Sequence, residues 1–239
     1  PPGDDMIAYS MNDVAVSLGE QSRWAAAESL HRAAVATLSG NHPEPNPLLA
    51  DALNGLAGAL DLQGKSAAAD SAYRGVIDLR RKLLGPEHPD YAFTVFNYAG
   101  FLFDQGRYAE ALGLAREVLA LRGRTLPESH TAVAAALQTE GRCLDKLGDT
   151  EAGGRALMES LALRRRYLPP DSWLTANSES VLGEHFTMAG DYARAAPLLH
   201  HASLVLERTL GPTDPRVATT RKRRAALYAA WGRKDPDGP

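Results

Sequence analysis

Gly64, Gly106, Gly148, Gly190 and Gly232 lie 42 residues apart, four intervals in succession. One further step back falls on Ser22, with Gly19 three residues earlier, so the first copy keeps the turn with altered chemistry. A fixed period of this length marks a chain built from repeated supersecondary units, each too small to bury its own apolar face. Every other reading of the sequence has to respect that spacing.

Further columns keep the register. Before each glycine stands a small residue, Ala15, Ala57, Ala99, Gly141, Gly183 and Ala225, and three places later a bulky one, Leu18, Leu60, Leu102, Leu144, Phe186 and Tyr228. Residues three apart share a helix face, where the small one admits a neighbouring helix and the large one fills the space beside it. A second small column, Ala27, Ala69, Ala111, Gly153 and Ala195, follows the glycine. Each unit is thus a helix A, a tight turn and a helix B.

The joints between units carry breakers: Pro43, Gly85, Pro127, Pro169 and Gly211, followed by Glu44, Pro86, Glu128, Pro170 and Pro212. Three places on come Asn46, His88, His130, Ser172 and Asp214, with Asp4 one period earlier, mostly residues able to cap a helix. Pro47, Pro89 and Pro215 then suit a first helical position, where a missing N–H costs nothing. The pattern predicts A helices near 5–19, 47–62, 89–104, 131–146, 173–188 and 215–231. B helices are expected near 23–39, 66–83, 108–124, 150–167 and 192–209.

Composition agrees. Alanine fills 40 positions, while isoleucine and valine together fill 12, a balance that favours helix over sheet. The expected fold is all-α, a right-handed solenoid of antiparallel helix pairs with about 11 helices. It forms one domain over 1–234, with repeats at about 4–42, 46–84, 88–126, 130–168 and 172–210 and a capping helix at 214–231. Tyr228 and Trp231 would cover the open end of the fifth pair, and residues 235–239 form a disordered tail.

At the level of motif the chain resembles tetratricopeptide repeats, in the 42-residue form of kinesin light chain. Leu84-Gly85-Pro86-Glu87-His88-Pro89 matches that family's joint, Leu210-Gly211-Pro212-Thr213-Asp214-Pro215 repeats it, and Gly106-Arg107-Tyr108-Ala109-Glu110-Ala111 matches its turn. Departures are Gly153-Gly154, in place of helix formers, and Ser129-His130-Thr131, in place of the His-Pro pair. The stretch from Trp173 through Trp231, with the segments Tyr192 to Leu199 and Leu227 to Arg233, is also similar to carboxy-terminal repeats attached to many bacterial serine/threonine protein kinases. That second likeness implies an amino-terminal kinase elsewhere in a longer polypeptide, in keeping with a sequence that begins at Pro1.

A helix-pair solenoid curves and leaves its A helices on the concave side, the default binding surface. Working outward from the packing columns, the residues expected there are Tyr9, Asn12, Val16, Asp51, Asn54 and Asp61. In the next units come Phe93, Phe96 and Phe103, then Gln138, Arg142 and Asp145, then Asn177, Ser180 and Glu184. An Asn amide donates and accepts at once, the chemistry an extended peptide backbone needs. The three phenylalanines either pack between helices or anchor a partner, and exposure decides.

The remaining signals read as structure. Arg80-Arg81-Lys82 and Arg164-Arg165-Arg166 end B helices, where positive charge suits the helix dipole, and Arg221 to Arg224 form a solvated face. His200 and His201 are adjacent and point about 100° apart, so they do not chelate one metal. Cys143, the single cysteine, reads as a small buried hydrophobe and excludes an intrachain disulfide. His88 and His130 are joint residues. Kinase motifs, metal ligands and cofactor loops are absent, so the expectation is a non-catalytic module with no cofactor.

With 26 basic against 29 acidic residues, net −3, nucleic acid and anionic membranes are poor partners. No apolar run approaches the roughly 20 residues of a membrane span. The amino terminus lacks a signal peptide, and low cysteine usage favours the cytoplasm. The expected partner is a protein or peptide, with self-association through the terminal helices left open.

Overall fold

The computed structural model describes residues 2–41, 46–121, 124–125 and 131–234; among these, eleven helices follow one another and no strand forms. Two compact units are distinguished, one running to Arg107 and one starting at Tyr108. The first holds α1 (Pro2–Glu20), α2 (Trp24–Asn41), α3 (Pro47–Asp61), α4 (Ser66–Leu84) and α5 (Pro89–Asp104). The second holds α6 (Tyr108–Leu119), α7 (Thr131–Leu147), α8 (Thr150–Tyr167), α9 (Trp173–Met188), α10 (Tyr192–Leu210) and α11 (Pro215–Lys234). Within each unit every helix packs on its chain neighbours. Odd-numbered A helices also touch the next A helix, α1 on α3, α3 on α5, α7 on α9 and α9 on α11. The architecture is the all-α helical repeat that the period implies.

The turns repeat bond for bond. Each A helix is closed by a bond from five residues beyond the bulky column back to it: Arg23 N to Leu18 O at 2.9 Å, Lys65 to Leu60 at 3.0 Å, Arg107 to Leu102 at 2.9 Å, Asp149 to Leu144 at 3.0 Å and Asp191 to Phe186 at 2.8 Å. This closure needs a left-handed residue one place earlier. Gly64, Gly106, Gly148 and Gly190 supply it with φ of 72°, 76°, 93° and 75°, and Ser22 adopts 59° in the same role. A side chain at such a φ costs about 1–2 kcal/mol, part of which glycine would give back through its greater freedom in the unfolded chain. Ser22→Gly is therefore expected to stabilise the protein by roughly 0.5–1 kcal/mol, read as a small rise in Tm; a fall in Tm would show that the turn is held by its serine.

Gly232, the fifth member of the glycine column, does not form a turn, because α11 runs through it to Lys234. No helix follows α11 among the described residues, so Ala225 is exposed and Tyr228 is 43% exposed. The expected cover for the fifth pair comes instead from fully buried Leu227, together with Trp231, which stacks on Tyr192 at 5.9 Å between ring centroids. Helix α6 ends at Leu119, short of the expected 124, where bonds tighten to Leu121 N to Val118 O and Arg124 N to Leu121 O.

At the joints, Asn46 Oδ1 accepts from Leu49 N at 2.9 Å, His88 Nδ1 from Asp90 N at 3.1 Å and Asp214 Oδ1 from Arg216 N at 2.8 Å. Pro47, Pro89 and Pro215 open their helices as expected. Ser172 makes no side-chain cap, and Asp4 lies inside α1. The expectations for Pro43, Glu44, Pro127, Glu128, His130 and the 235–239 tail lie outside the described residues.

The small columns are where helices meet. Ala15, Ala57 and Ala99 are fully buried, as are Ala69, Ala111 and Ala195. In the second unit Leu157, Leu161, Leu182, Phe186, Leu199 and Leu227 form one apolar cluster, and Ala202, Leu206 and Val217 belong to a smaller one. In the first unit buried residues cluster around Leu38 and around Ala15, and Tyr73, Val76, Tyr91, Val95 and Leu102 are also buried.

Candidate functional site

Residues one period apart occupy equivalent places, so the A-helix face is best followed by columns within each unit. The outermost column of the first unit, Tyr9, Asp51 and Phe93, is exposed, with Tyr9 at 54% and Phe93 at 47%. The next column inward, Asn12, Asn54 and Phe96, is half-buried. Asn12 Oδ1 lies 3.0 Å from His31 Nδ1, whereas Asn54 Oδ1 is buried with no hydrogen-bond partner. Val16 is also exposed. Phe103 departs from the expectation: it is 8% exposed and belongs to the core. The phenylalanine trio therefore divides, with Phe93 outside, Phe96 between and Phe103 within.

In the second unit the same face is polar and largely tied to itself. Gln138 Oε1 accepts from Ser178 at 2.9 Å. Ser180, expected on the open face, is fully buried, its hydroxyl 2.8 Å from Thr220 Oγ1 and accepting from Arg223 at 3.0 Å. The cause is α11, whose Thr220 and Arg223 close over α9. Arg223 also pairs with Glu184 at 2.7 Å. Asn177 and Arg142 are half-buried.

Three buried polar features escaped the reading of the sequence. Asp145, expected on the groove, has a side chain only 6% exposed and meets His185 Nδ1 at 2.9 and 3.0 Å. The pair sits on Gly153 and Gly154: a methyl group at 153 would collide with Asp145 Oδ1, and one at 154 would approach His185 Nε2 to 2.6 Å. The two glycines that interrupt the helix-B pattern thus make room for a hydrogen-bonded carboxyl–imidazole couple. The available signal was a histidine in a column that holds Ser17, Ala59, Phe101, Cys143 and Leu227 in the other repeats. Second, Glu179 of α9 is 3% exposed and is reached by Arg165 at 2.9 Å and His201 at 2.6 Å. Third, Arg80 and Arg164 do not lie along the helix ends in solvent; both are buried. Their column holds Leu38, Arg122 and Leu206 in the other repeats, and the two leucines place it toward the core.

Electrostatics follow burial. Desolvation pushes the Cys143 thiol up to about 11, so it stays protonated and unreactive at neutral pH. Burial raises Asp145 against the pull of His185. Asp61 is raised by burial and by the neighbouring Asp104 carboxylate. Folding therefore favours protonated Asp61, and stability falls as pH climbs from its ordinary value of 3.8 to the raised folded value. Asp61→Asn should raise Tm at pH 7 by about 2 °C and lose that advantage below pH 4. An equal gain at both pH values would remove the electrostatic cause. Among the described residues no group of three or more His, Cys, Asp or Glu is placed to hold a metal ion.

Comparison with known proteins bears on this repeat. Two sequence profiles described as tetratricopeptide repeat match the chain, one over residues 48–122 and 91–166 and the other over 7–44. No curated protein matches it by sequence. Among solved structures, the nearly identical TPR-like repeats of a kinesin light chain from Podosopora anserina superpose with a TM-score of 0.70 at 20% identity, covering 87% of this chain and 97% of that one. BtubC (BKLC) from P. vanneervenii gives 0.72 at 19% identity, covering 87% and 83%. A Rap protein complexed with competence and sporulation factor gives 0.69 at 16% identity, covering 93% and 66%. Repeated helix pairs, the turn closure that recurs every 42 residues and the matching profiles converge: the chain belongs to the tetratricopeptide repeat family.

Proposed function

We infer that the protein is a non-catalytic interaction module whose A helices hold a segment of another protein. The observation that carries this is Asn54, a buried carbonyl oxygen without a donor, one column inward from exposed Tyr9, Asp51 and Phe93. An unpaired buried acceptor costs about 1–3 kcal/mol, which a donor arriving from a bound backbone N–H recovers. Exposed aromatic rings beside it offer the flat apolar contact that anchors protein partners. Charge supports a protein over nucleic acid, since the chain is slightly acidic overall. The resemblance in fold to a Rap protein solved with competence and sporulation factor supports a bound-ligand role for such an array.

The test is affinity capture from the source cells with the wild-type protein beside Phe93→Ala and Asn54→Ala. A protein recovered by wild type should bind each variant about 1–3 kcal/mol more weakly in a titration. Unchanged capture by both variants would overturn the assignment. No helix of the described residues is long and apolar enough to cross a membrane, and the cytoplasm is the proposed place of action. The likeness of the stretch from Trp173 through Trp231 to repeats of bacterial protein kinases suggests a wider setting, a recruiting segment of a signalling protein, which reading the parent gene decides.

A further inference from the structure

Two columns that belong to the core in neighbouring repeats turn polar in α9. Thr175 takes the place of fully buried Tyr91, Val133 and Val217, and Glu179 takes the place of buried Val95 and Leu137. Both stay shut in, one turn apart on the same helix face. The Thr175 hydroxyl has no hydrogen-bond partner among the described residues. Glu179 is reached by Arg165 Nη2 of α8 at 2.9 Å and His201 Nδ1 of α10 at 2.6 Å, two side chains that stand 56% and 50% in water. A third departure lies beside them. Pro197 sits inside α10, where the other repeats have Ser29, Ser71, Gly113 and Arg155, and it removes the N–H that would bond the Ala193 carbonyl.

These departures converge on one place. Thr175, Glu179, Arg165, His201 and Pro197 line a pocket of 430 Å³ between α8, α9 and α10. An adjoining pocket of 470 Å³ shares Arg165, Pro197 and Leu198 with it and is mainly apolar, bounded by Met158, Leu161, Leu182 and Phe186. An apolar cleft with a few convergent polar groups is the usual form of a small-molecule site, and local departures that lower stability gather where a chain has a function. Charge selects the head group. Arg165 lies against Glu179, so an ionic ligand of either sign meets a like charge there. An alcohol meets none: its oxygen accepts from Thr175, and its O–H donates to a remaining lone pair of Glu179.

We propose that the two adjoining pockets bind a small uncharged amphiphile, a medium-length apolar chain ending in a hydroxyl. The chain lies over Met158, Leu161, Leu182 and Phe186, and the hydroxyl bridges Thr175 and Glu179. Asn177, which belongs to the outer A-helix column of this unit, is not among the lining residues, so the site is independent of the partner-binding face.

The test titrates 1-octanol, octanoate and octylammonium, three heads on one chain, into the whole protein at matched pH and ionic strength, following the methyl resonances of Thr175 and Met158. 1-Octanol should shift both and bind about tenfold or more tighter than either ion. Thr175→Val restores the hydrocarbon of the column, so it should raise Tm while weakening 1-octanol about tenfold. Ala162→Phe, at an exposed place on α8 that lines the apolar pocket, should abolish binding and leave Tm unchanged. Equal affinity of wild type and Thr175→Val overturns the hydroxyl anchor, and binding that survives Ala162→Phe overturns the seat of the chain. Tighter binding of either ion overturns the uncharged head. Unmoved Thr175 and Met158 resonances with 1-octanol overturn the site as a whole.

Discussion

Leu199→Ala is expected to cost about 3 kcal/mol and Gly183→Ala about 1 kcal/mol, with the double variant less destabilised than their sum. Leu199 of α10 is fully buried, and its branch point rests on the bare backbone of α9 at Gly183. A methyl group at 183 would stand 2.6 Å from Leu199 Cγ and 3.0 Å from Cδ2. Truncating the leucine removes transfer energy and leaves a cavity, a loss of about 2–5 kcal/mol for such sites. Adding the methyl overpacks the contact by about 1–3 kcal/mol, offset by roughly 1 kcal/mol because alanine is the better helix former. With Leu199 shortened the obstacle is gone, so the propensity gain remains and the methyl fills part of the void. Denaturant unfolding of the four proteins measures the coupling. Additivity within about 0.5 kcal/mol would mean that the two positions do not share space.

Gly141→Ala should destabilise by about 2 kcal/mol, although it restores the alanine found in the same column at 57 and 99. Those alanines are fully buried without difficulty in the first unit. Between α7 and α8 the backbones come closer. A methyl at 141 would lie 2.6 Å from Leu157 Cγ and 2.8 Å from the Gly153 carbonyl oxygen, and one at 153 would lie 2.9 Å from the Gly141 carbonyl oxygen. A side chain can rotate away, but a helical carbonyl cannot, so the two helices must separate along their length. That places the penalty toward the upper end of the overpacking range and above the propensity gain of about 1 kcal/mol. Thermal unfolding should show Tm lowered by about 5 °C. An unchanged or higher Tm would show that α7 and α8 part freely.

Glycine at 141 and 153 was visible in the sequence only as a variation on a small column. The period itself was legible to the residue: Ser22 was placed in the turn by counting back, and its φ of 59° is the left-handed value the other copies obtain from glycine. Capping by Asn46 and His88 and the proline starts were equally readable, because these are local effects of one side chain on its own backbone. What periodicity does not encode is how deep the seam between successive A helices lies. Asp61, Phe103 and Asp145 share a column assigned to the open face, yet Phe103 is core and Asp145 is shut in against His185. Arg80 and Arg164 were hidden for a related reason, since a cation near a helix end looks satisfied by the dipole until its leucine counterparts at 38 and 206 are considered. Of the proposed face, the outer column was therefore readable, and the inner one depended on packing between repeats.

Repeat arrays invite editing by whole units, since adding or deleting 42 residues preserves every turn and joint. The couple formed by Asp145 and His185 over two glycines makes one boundary resistant to that operation. Deleting one period downstream would bring Leu227 into the register of His185, facing a shut-in carboxylate with a hydrocarbon. Inserting a copy of the preceding period would set Cys143 there instead. The link between α7–α8 and α9 behaves as a keyed connector in an otherwise modular sequence, so shortened or lengthened versions of this protein should tolerate splices elsewhere and fail at that one.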